Sequence, residues 1–329
     1  MKRSIVISVI LVFVLALSLA GCGDGDTGAG WPDTVSIATG GTGGVYYPYG
    51  GGMANIISNN LEGKTANAEV TGASVENIIL VHDGDAEIGL IMGDVGYQAW
   101  AGEGRFEDDA QDILVAFQMY PNIYQVVTLE DYDIHSISDL RGQRVSVGAP
   151  GSGTEYKTDL VLSALGISYD EFTEAARLSF AEQTDALKDR NIEVAIWSVG
   201  PPTSTILDLA TTHNPRILAF TQEEIDKVVA AHPFYVENTM AANTYPGIPA
   251  VKTLAVWNSA IVHKDASVED VYEMVKAIFE NQQELIDIHA VGEWTTPQVT
   301  LDNSSIPLHP GTIKYLEEIG LEVPDNLRP

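Results

Sequence analysis

Apolar residues recur along this chain in two rhythms that take turns. Thr34 to Ala38 (TVSIA) alternates polar and apolar positions, the period of a half-buried strand. A glycine-rich stretch follows, Gly40 to Gly44 (GGTGG), and the period then changes. Met53, Ile56 and Ile57 fall at helical spacing within Tyr46 to Asn60. The pattern next predicts a helix over Val75 to Asp83 and a strand over Ile88 to Met92. A second segment repeats this plan. Arg144 to Gly148 (RVSVG) reads as a strand and Gly151-Ser152-Gly153 as a loop. Thr154 to Leu165 reads as a helix with the stripe Leu160, Val161, Ala164 and Leu165, stopped by Gly166. A short helix over Thr184 to Asp189 and a strand over Val194 to Trp197 complete it. The two segments share a plan without shared identity.

Strands alternating with helices predict an α/β chain with a mostly parallel sheet in each segment. Two such lobes, each with a loop at the carboxyl end of its first strand, predict a cleft between them, since open α/β sheets bind ligands at those strand ends. Thr253 to Trp257 (TLAVW) reads as a further strand. A helix follows from Ser267, with Asp270 as an acidic variant of the capping box. Its positions Val268, Val271, Tyr272, Val275, Ile278 and Phe279 share one face. This C-terminal part is expected to return to the first lobe.

The N-terminus follows neither rhythm. Met1-Lys2-Arg3 is a short positive region, and Ile5 to Leu19 is an apolar run without charge. It is shorter than the roughly 20 residues of a spanning helix and is followed by small residues, the pattern of a secretory signal. Leu19-Ala20-Gly21-Cys22 resembles the lipobox of bacterial lipoproteins, which implies lipid on Cys22, the single cysteine. The expected organisation is a signal peptide over 1–21, a flexible glycine-rich tether over 22–33, lobe I over 34–123 and 253–329, and lobe II over 124–252. The expected location is extracytoplasmic, lipid-anchored to the bacterial membrane on its periplasmic or cell-surface side.

Charge narrows the partners. The chain has 46 acidic and 17 basic residues, a formal charge of −29. That excludes a basic nucleic-acid surface and peripheral docking on anionic lipid, and it fits a salt-rich habitat. Long-range steering would repel an anion. Any anion site must therefore be made locally by backbone N–H groups and neutral donors.

The glycine loops meet that requirement. A helix N-terminus offers unpaired N–H groups and roughly half a positive charge, and glycine lets the backbone approach an anion closely. The first loop adds the hydroxyls of Thr42, Tyr46 and Tyr47; the second adds Ser152 and Thr154. Trp197 is either an apolar wall of the cleft or a core tryptophan. Asp94 either caps its helix or pairs with a ligand ammonium. Catalytic and cofactor motifs fail. Ser58 to Thr65 (SNNLEGKT) has serine where a P-loop needs glycine. No G-x-S-x-G elbow occurs, and the seven histidines stand at no helical metal-ligand spacing. The expectation is no enzyme, no cofactor and no metal.

Five segments in order resemble the TAXI group of solute receptors, which serve TRAP (tripartite ATP-independent periplasmic) transporters. They are SIATGGTGGVYYPYGGGMANII, LRGQRVSVGAPGSGTE, VAIWSVGPPTSTILDLA, HPFYVENTMAANTYPG and PLHPGTIKYLEEIG, spanning about residues 34 to 318. The resemblance implies a two-lobed, type II periplasmic-binding-protein-like fold and a small carboxylate ligand such as glutamate. It implies delivery of that ligand to TRAP membrane subunits. Carried over by position, the first loop supplies Gly40, Thr42, Gly43, Gly44 and Tyr46, and the second Gly151, Ser152, Gly153 and Thr154. Trp197 and Gly200 line the opposing wall. Met92 departs from the family, where a polar side chain is common. The hinge is expected near Asn122 to Tyr124 and Val251 to Thr253. The alternative is a ligand-sensing lipoprotein that partners a membrane signalling kinase.

Overall fold

The computed structural model describes residues 30–329. The expected signal, the expected lipid site Cys22 and the expected tether as far as Ala29 lie outside the described residues. No described helix is long and apolar enough to cross a membrane.

The first segment folds as β1 (Thr34–Ala38), α1 (Tyr46–Asn60), β2 (Thr65–Glu69), α2 (Ser74–Asp83), β3 (Ile88–Met92) and α3 (Gly93–Ala101). Strand β1 pairs in parallel with both β2 and β3. All five residues of β3 are buried, as a parallel strand covered on both faces requires. Strand β2 (TANAE) alternates half-buried and exposed positions. The second segment repeats the arrangement in β5 (Arg144–Ser146), α4 (Gly153–Ala164), β6 (Glu174–Ala176), α5 (Phe180–Lys188) and β7 (Val194–Val199). There β5 pairs in parallel with β6 and β7.

Two long strands join the parallel groups. They are β4 (Ile113–Leu129) and β10 (Val251–His263). The strand order is β2-β1-β3-β10-β4-β7-β5-β6, with β8 (Pro215–Ile217) on β4 and β9 (Val236–Met240) on β10. At Ile123, β4 has β10 on one side and β7 on the other. Strand β10 pairs with β9 over Val251–Ala255 and with β3 over Asn258–Ile261. Its register on β4 slips twice, between Trp257 and Ser259 and between Ala260 and Ile261. Pro121 lies at the first slip, where its missing N–H costs no ladder bond. Each slip puts one extra residue into β4, a bulge that increases local twist.

The C-terminal part packs against the first group. Helix α8 (Val268–Glu280) opens with Ser267 Oγ accepting the Asp270 N–H at 3.2 Å. Helix α11 (Pro310–Glu318) packs beside it, while α9 (Gln282–Ile288) packs on α1, and α10 (Pro297–Asn303) lies between α9 and α11 in the chain. A methyl group on Gly52 of α1 would lie 2.2 Å from Ile288 Cδ1. That mid-helix glycine lets α9 sit on α1. Helices α6 (Ser204–Thr212) and α7 (Gln222–Ala231) complete the second half. The chain has an α/β, two-lobed, periplasmic-binding-protein-like fold.

Candidate functional site

The carboxyl ends of β1 and β3 face those of β5 and β7 across a cavity of about 520 Å³, within the usual 300–1,000 Å³ of small-molecule sites. The first half contributes Gly40 to Tyr46, Val70 to Ser74, Met92 and Asn122. The second contributes Ala149, Pro150, Ser152 to Thr154, Ser179 to Ala181, Ser198 and Val199. None of the lining side chains is charged.

Four helices begin at this wall: α1, α2, α4 and α5. Ser152 caps α4, accepting the Glu155 N–H at 3.1 Å while donating to Ala149 O at 2.7 Å. Ser179 caps α5 in a reciprocal box with Glu182. Neither α1 nor α2 has a side-chain cap, so no side chain satisfies their first-turn N–H groups, of which the Val75 N–H is taken by a backbone carbonyl. Two further lining groups are unsatisfied. Asn122 Oδ1 and Ser198 Oγ are buried and have no hydrogen-bond partner, a state that native folds rarely tolerate.

The halves touch across the cavity. Thr203 and Thr205 hydroxyls donate to Gly43 O at 3.2 and 3.4 Å, and the Val75 N–H donates to Gly151 O at 3.2 Å. A Cβ on Gly43 would stand 2.8 Å from Thr205 Cγ2, and one on Gly153 would stand 2.4 Å from Met92 Cε. Both glycines mark a close approach of one half to the other. Beside the cavity, Arg105 reaches Glu155 of α4 at 2.7 Å, and Arg177 joins at 3.2 Å. Burial would raise the Glu155 carboxyl, but the two guanidinium groups outweigh it and hold the group below the usual carboxylate range.

The expected site residues divide. Gly40, Thr42, Gly43, Gly44, Tyr46, Ser152, Gly153 and Thr154 come together on the cavity wall. Five others do not. Tyr47 projects from the outer face of α1 and is 36% exposed. Gly151 shapes the loop with a φ of +71° and engages Val75 through its carbonyl. Trp197 is a fully buried core residue, its ring 6.1 Å from that of Phe180, which takes the wall position instead. Gly200 abuts Tyr120, 2.9 Å from where a Cβ would stand.

Asp94 is wholly buried and spoken for. Its carboxylate accepts the Tyr235 hydroxyl at 2.7 Å and the Val95 N–H at 2.9 Å. The ammonium nearby is the protein's own: Lys157 of α4, buried with its Nζ 4.8 and 5.3 Å from the ring centres of Tyr235 and Tyr124. Burial pushes Lys157 down to about 7, against the pull of Asp94. Burial also raises Asp94, opposed first by Lys157.

Sequence reasoning missed the Val70 to Ser74 loop, Asn122, Ser198 and the α5 N-terminus. Only the last carried a signal, the box of Ser179 and Glu182. Helix α5 starts at Phe180 rather than the expected Thr184, and that earlier turn brings Phe180 to the wall.

Several solved structures are similar to this chain. PhnD1 from Prochlorococcus marinus (MIT 9301), in complex with methylphosphonate, is 11% identical, with 88% of this chain and 98% of that one covered at a TM-score of 0.53. A protein from Bordetella bronchiseptica RB50 is 15% identical, with 90% and 91% covered at a TM-score of 0.51. The alkanesulfonate-binding protein SsuA from Xanthomonas axonopodis pv. citri, bound to MOPS, is 14% identical, with 88% and 92% covered at 0.47. The pattern of the NMT1-like family matches residues 37–320, which is nearly the whole described chain, and the chain belongs to that family.

Proposed function

We propose that the protein is an extracytoplasmic solute receptor that captures a small organic anion between its two lobes and delivers it to a TRAP-type membrane transporter. One observation carries the reading. The cavity has no charged side chain, yet four helix N-termini begin on its wall and two buried polar groups there lack partners. Convergent N–H dipoles favour negative charge, and the unpartnered Asn122 and Ser198 call for a polar ligand. A carboxylate suits such a site. With Asp94 engaged by Tyr235 and lying beside Lys157, no lining carboxylate answers a ligand ammonium; the unpaired Asn122 Oδ1 is a neutral acceptor only. This favours a carboxylate without an amino group over glutamate. Ligand contacts are assigned to Gly40, Thr42, Gly43, Gly44, Tyr46, Ser152, Gly153 and Thr154, joined by Asn122 and Ser198.

The lobes are taken as 34–123 with 253–329, and 124–252. The hinge lies where β4 and β10 change partners, near Ile123 and between Ala255 and Asn258. Closure about a few crossing residues is a common device. A ligand drives it only through its greater affinity for the closed form. In this reading Cys22 holds the receptor at the membrane by lipid.

The test is thermal unfolding of the purified protein against carboxylates, amino acids and phosphonates. A ligand bound only by the native state adds RT ln(1 + [L]/Kd), about 2.7 kcal/mol at a hundredfold excess over Kd. Stabilisation by simple carboxylates but not by amino acids is the expected result. No shift with any anion, from protein shown to be folded and ligand-free, would remove the anion-receptor reading. Loss of uptake on deleting the receptor, in cells carrying TRAP membrane subunits, tests the transporter partnership.

A further inference from the structure

At the opposite end of the first lobe, three separate elements bring together residues that lie far apart in sequence. His82 closes α2, Asp112 stands just before β4 and His263 ends β10. One ligand atom from each lies within 4.8 Å of the other two, and all three residues are half-buried. The imidazole centres are 6.5 Å apart. We propose that His82, Asp112 and His263 form a binding site for a zinc-type transition-metal ion, outside the ligand cleft.

The backbone fixes the three positions relative to one another. Ile113 pairs with His263 across β4 and β10. The Lys264 N–H donates to Asp112 O at 2.9 Å, and the Asp112 N–H donates to His82 Nδ1 at 2.9 Å. Around a tetrahedral ion with bonds of about 2.0–2.1 Å, neighbouring ligand atoms stand roughly 3.4 Å apart. Side-chain rotation of about an ångström per residue therefore closes the site, with no change in the strands.

The donor set selects the ion. Two imidazoles and one carboxylate suit zinc and related divalent transition metals and leave an open coordination position. Calcium and magnesium require oxygen ligands throughout and are excluded by the two nitrogens. Asp112 Oδ1 already holds Lys264 Nζ at 3.0 Å, which orients the carboxylate and leaves its other oxygen for the metal. Each imidazole now accepts a backbone N–H at Nδ1, His82 from Asp112 and His263 from Asp265 at 3.1 Å. Coordination through Nε2 puts the ring proton on Nδ1, where it would face the backbone N–H that Nδ1 now accepts, so each ring gives up that hydrogen bond and turns away from the donor as it takes the metal.

The site is remote from the cavity. Asn258 lies opposite Met92 at the cavity end of the sheet. His263 is five residues further along β10, or about 17 Å at ~3.4 Å per strand residue. Metal here would tie the end of α2 to both long strands without touching the ligand.

Cobalt(II) and zinc titrations of the full chain, purified in detergent, test this directly. The wild type is expected to retain one zinc per chain against dialysis and to give a visible cobalt absorption of low-coordinate type. Asn reproduces the position of Nδ1 but lacks Nε2. His82→Asn and His263→Asn therefore keep the backbone contacts while removing the metal ligands. Each is expected to weaken zinc binding at least tenfold and to abolish the cobalt band. Their unfolding temperatures in EDTA should match that of the wild type. Magnesium and calcium should not compete. A wild type that retains no zinc, or a double variant with the wild-type cobalt spectrum, overturns the proposal. Carboxylate binding in the cleft is read separately and is expected to be unchanged.

Discussion

Lys157 is a charge held in a dry aromatic cage, with two tyrosine rings beside its ammonium and no hydrogen-bond partner. Its folded value of about 7 lies below the unfolded value of roughly 10.4. The unfolded chain therefore binds this proton more tightly. The cost to the fold is complete below about pH 7 and fades as pH rises towards 10.4, so this group makes stability rise over that window. Asp94, also raised by burial, acts with the opposite sign. Between pH 7 and 9.5 the wild type is expected to gain on the order of 1–3 kcal/mol from this source. Lys157→Met should lack that gain. Parallel pH profiles of unfolding free energy for the two proteins would show it, and superimposable slopes would remove Lys157 from the account. At the cavity wall, Ser198→Ala is expected to weaken anion binding by about 1 kcal/mol, the usual value of one hydrogen bond, as read by calorimetric titration.

Among the elements, the glycine loops set how closely the halves approach. Gly43→Val would drive a side chain into Thr205 and the α5 backbone, whose Ala181 nitrogen is 3.3 Å from the Cβ position. The expected result is at least a tenfold loss of affinity, about 1.4 kcal/mol, with the unfolding temperature of the ligand-free form little changed. Wild-type affinity would take that loop out of the site. These loops were legible in the sequence because glycine between a strand and a helix has a local cause. So were the two parallel groups, since β1 and β5 announce themselves by alternation. Strand β10 was legible only in part: TLAVW marks its middle, yet it runs on through Asn258 and Ser259 to His263. For Trp197 and Asp94 the sequence left two readings each, and the side chains turn inward, to Phe180 and to Tyr235. No periodicity encodes that choice. Nor can spacing reveal His82, Asp112 and His263, which meet only after β4 and β10 have paired.

For the molecule as a whole, a formal charge of −29 makes self-repulsion a standing cost. The Debye length falls from about 10 Å at 0.1 M salt to 3 Å at 1 M, so the unfolding temperature is expected to rise with sodium chloride. Equal stability with and without molar salt would argue against a salt-rich habitat. The Arg105–Glu155 contact between the halves runs the other way. Arg105 is partly solvated there, so its loss should cost little, about 0–1 kcal/mol.

The four helix N-termini are divided evenly, α1 and α2 from one half and α4 and α5 from the other. Two poles of the same sign therefore confront each other whenever the empty molecule shuts. Each half is a weak magnet for an anion, and each is repelled by its twin. A bound anion is then the counterion that lets like face like. Closure sets that repulsion against the contacts of Gly43 with Thr203 and Thr205 and of Gly151 with Val75, and in the proposed receptor the anion is what tips the balance.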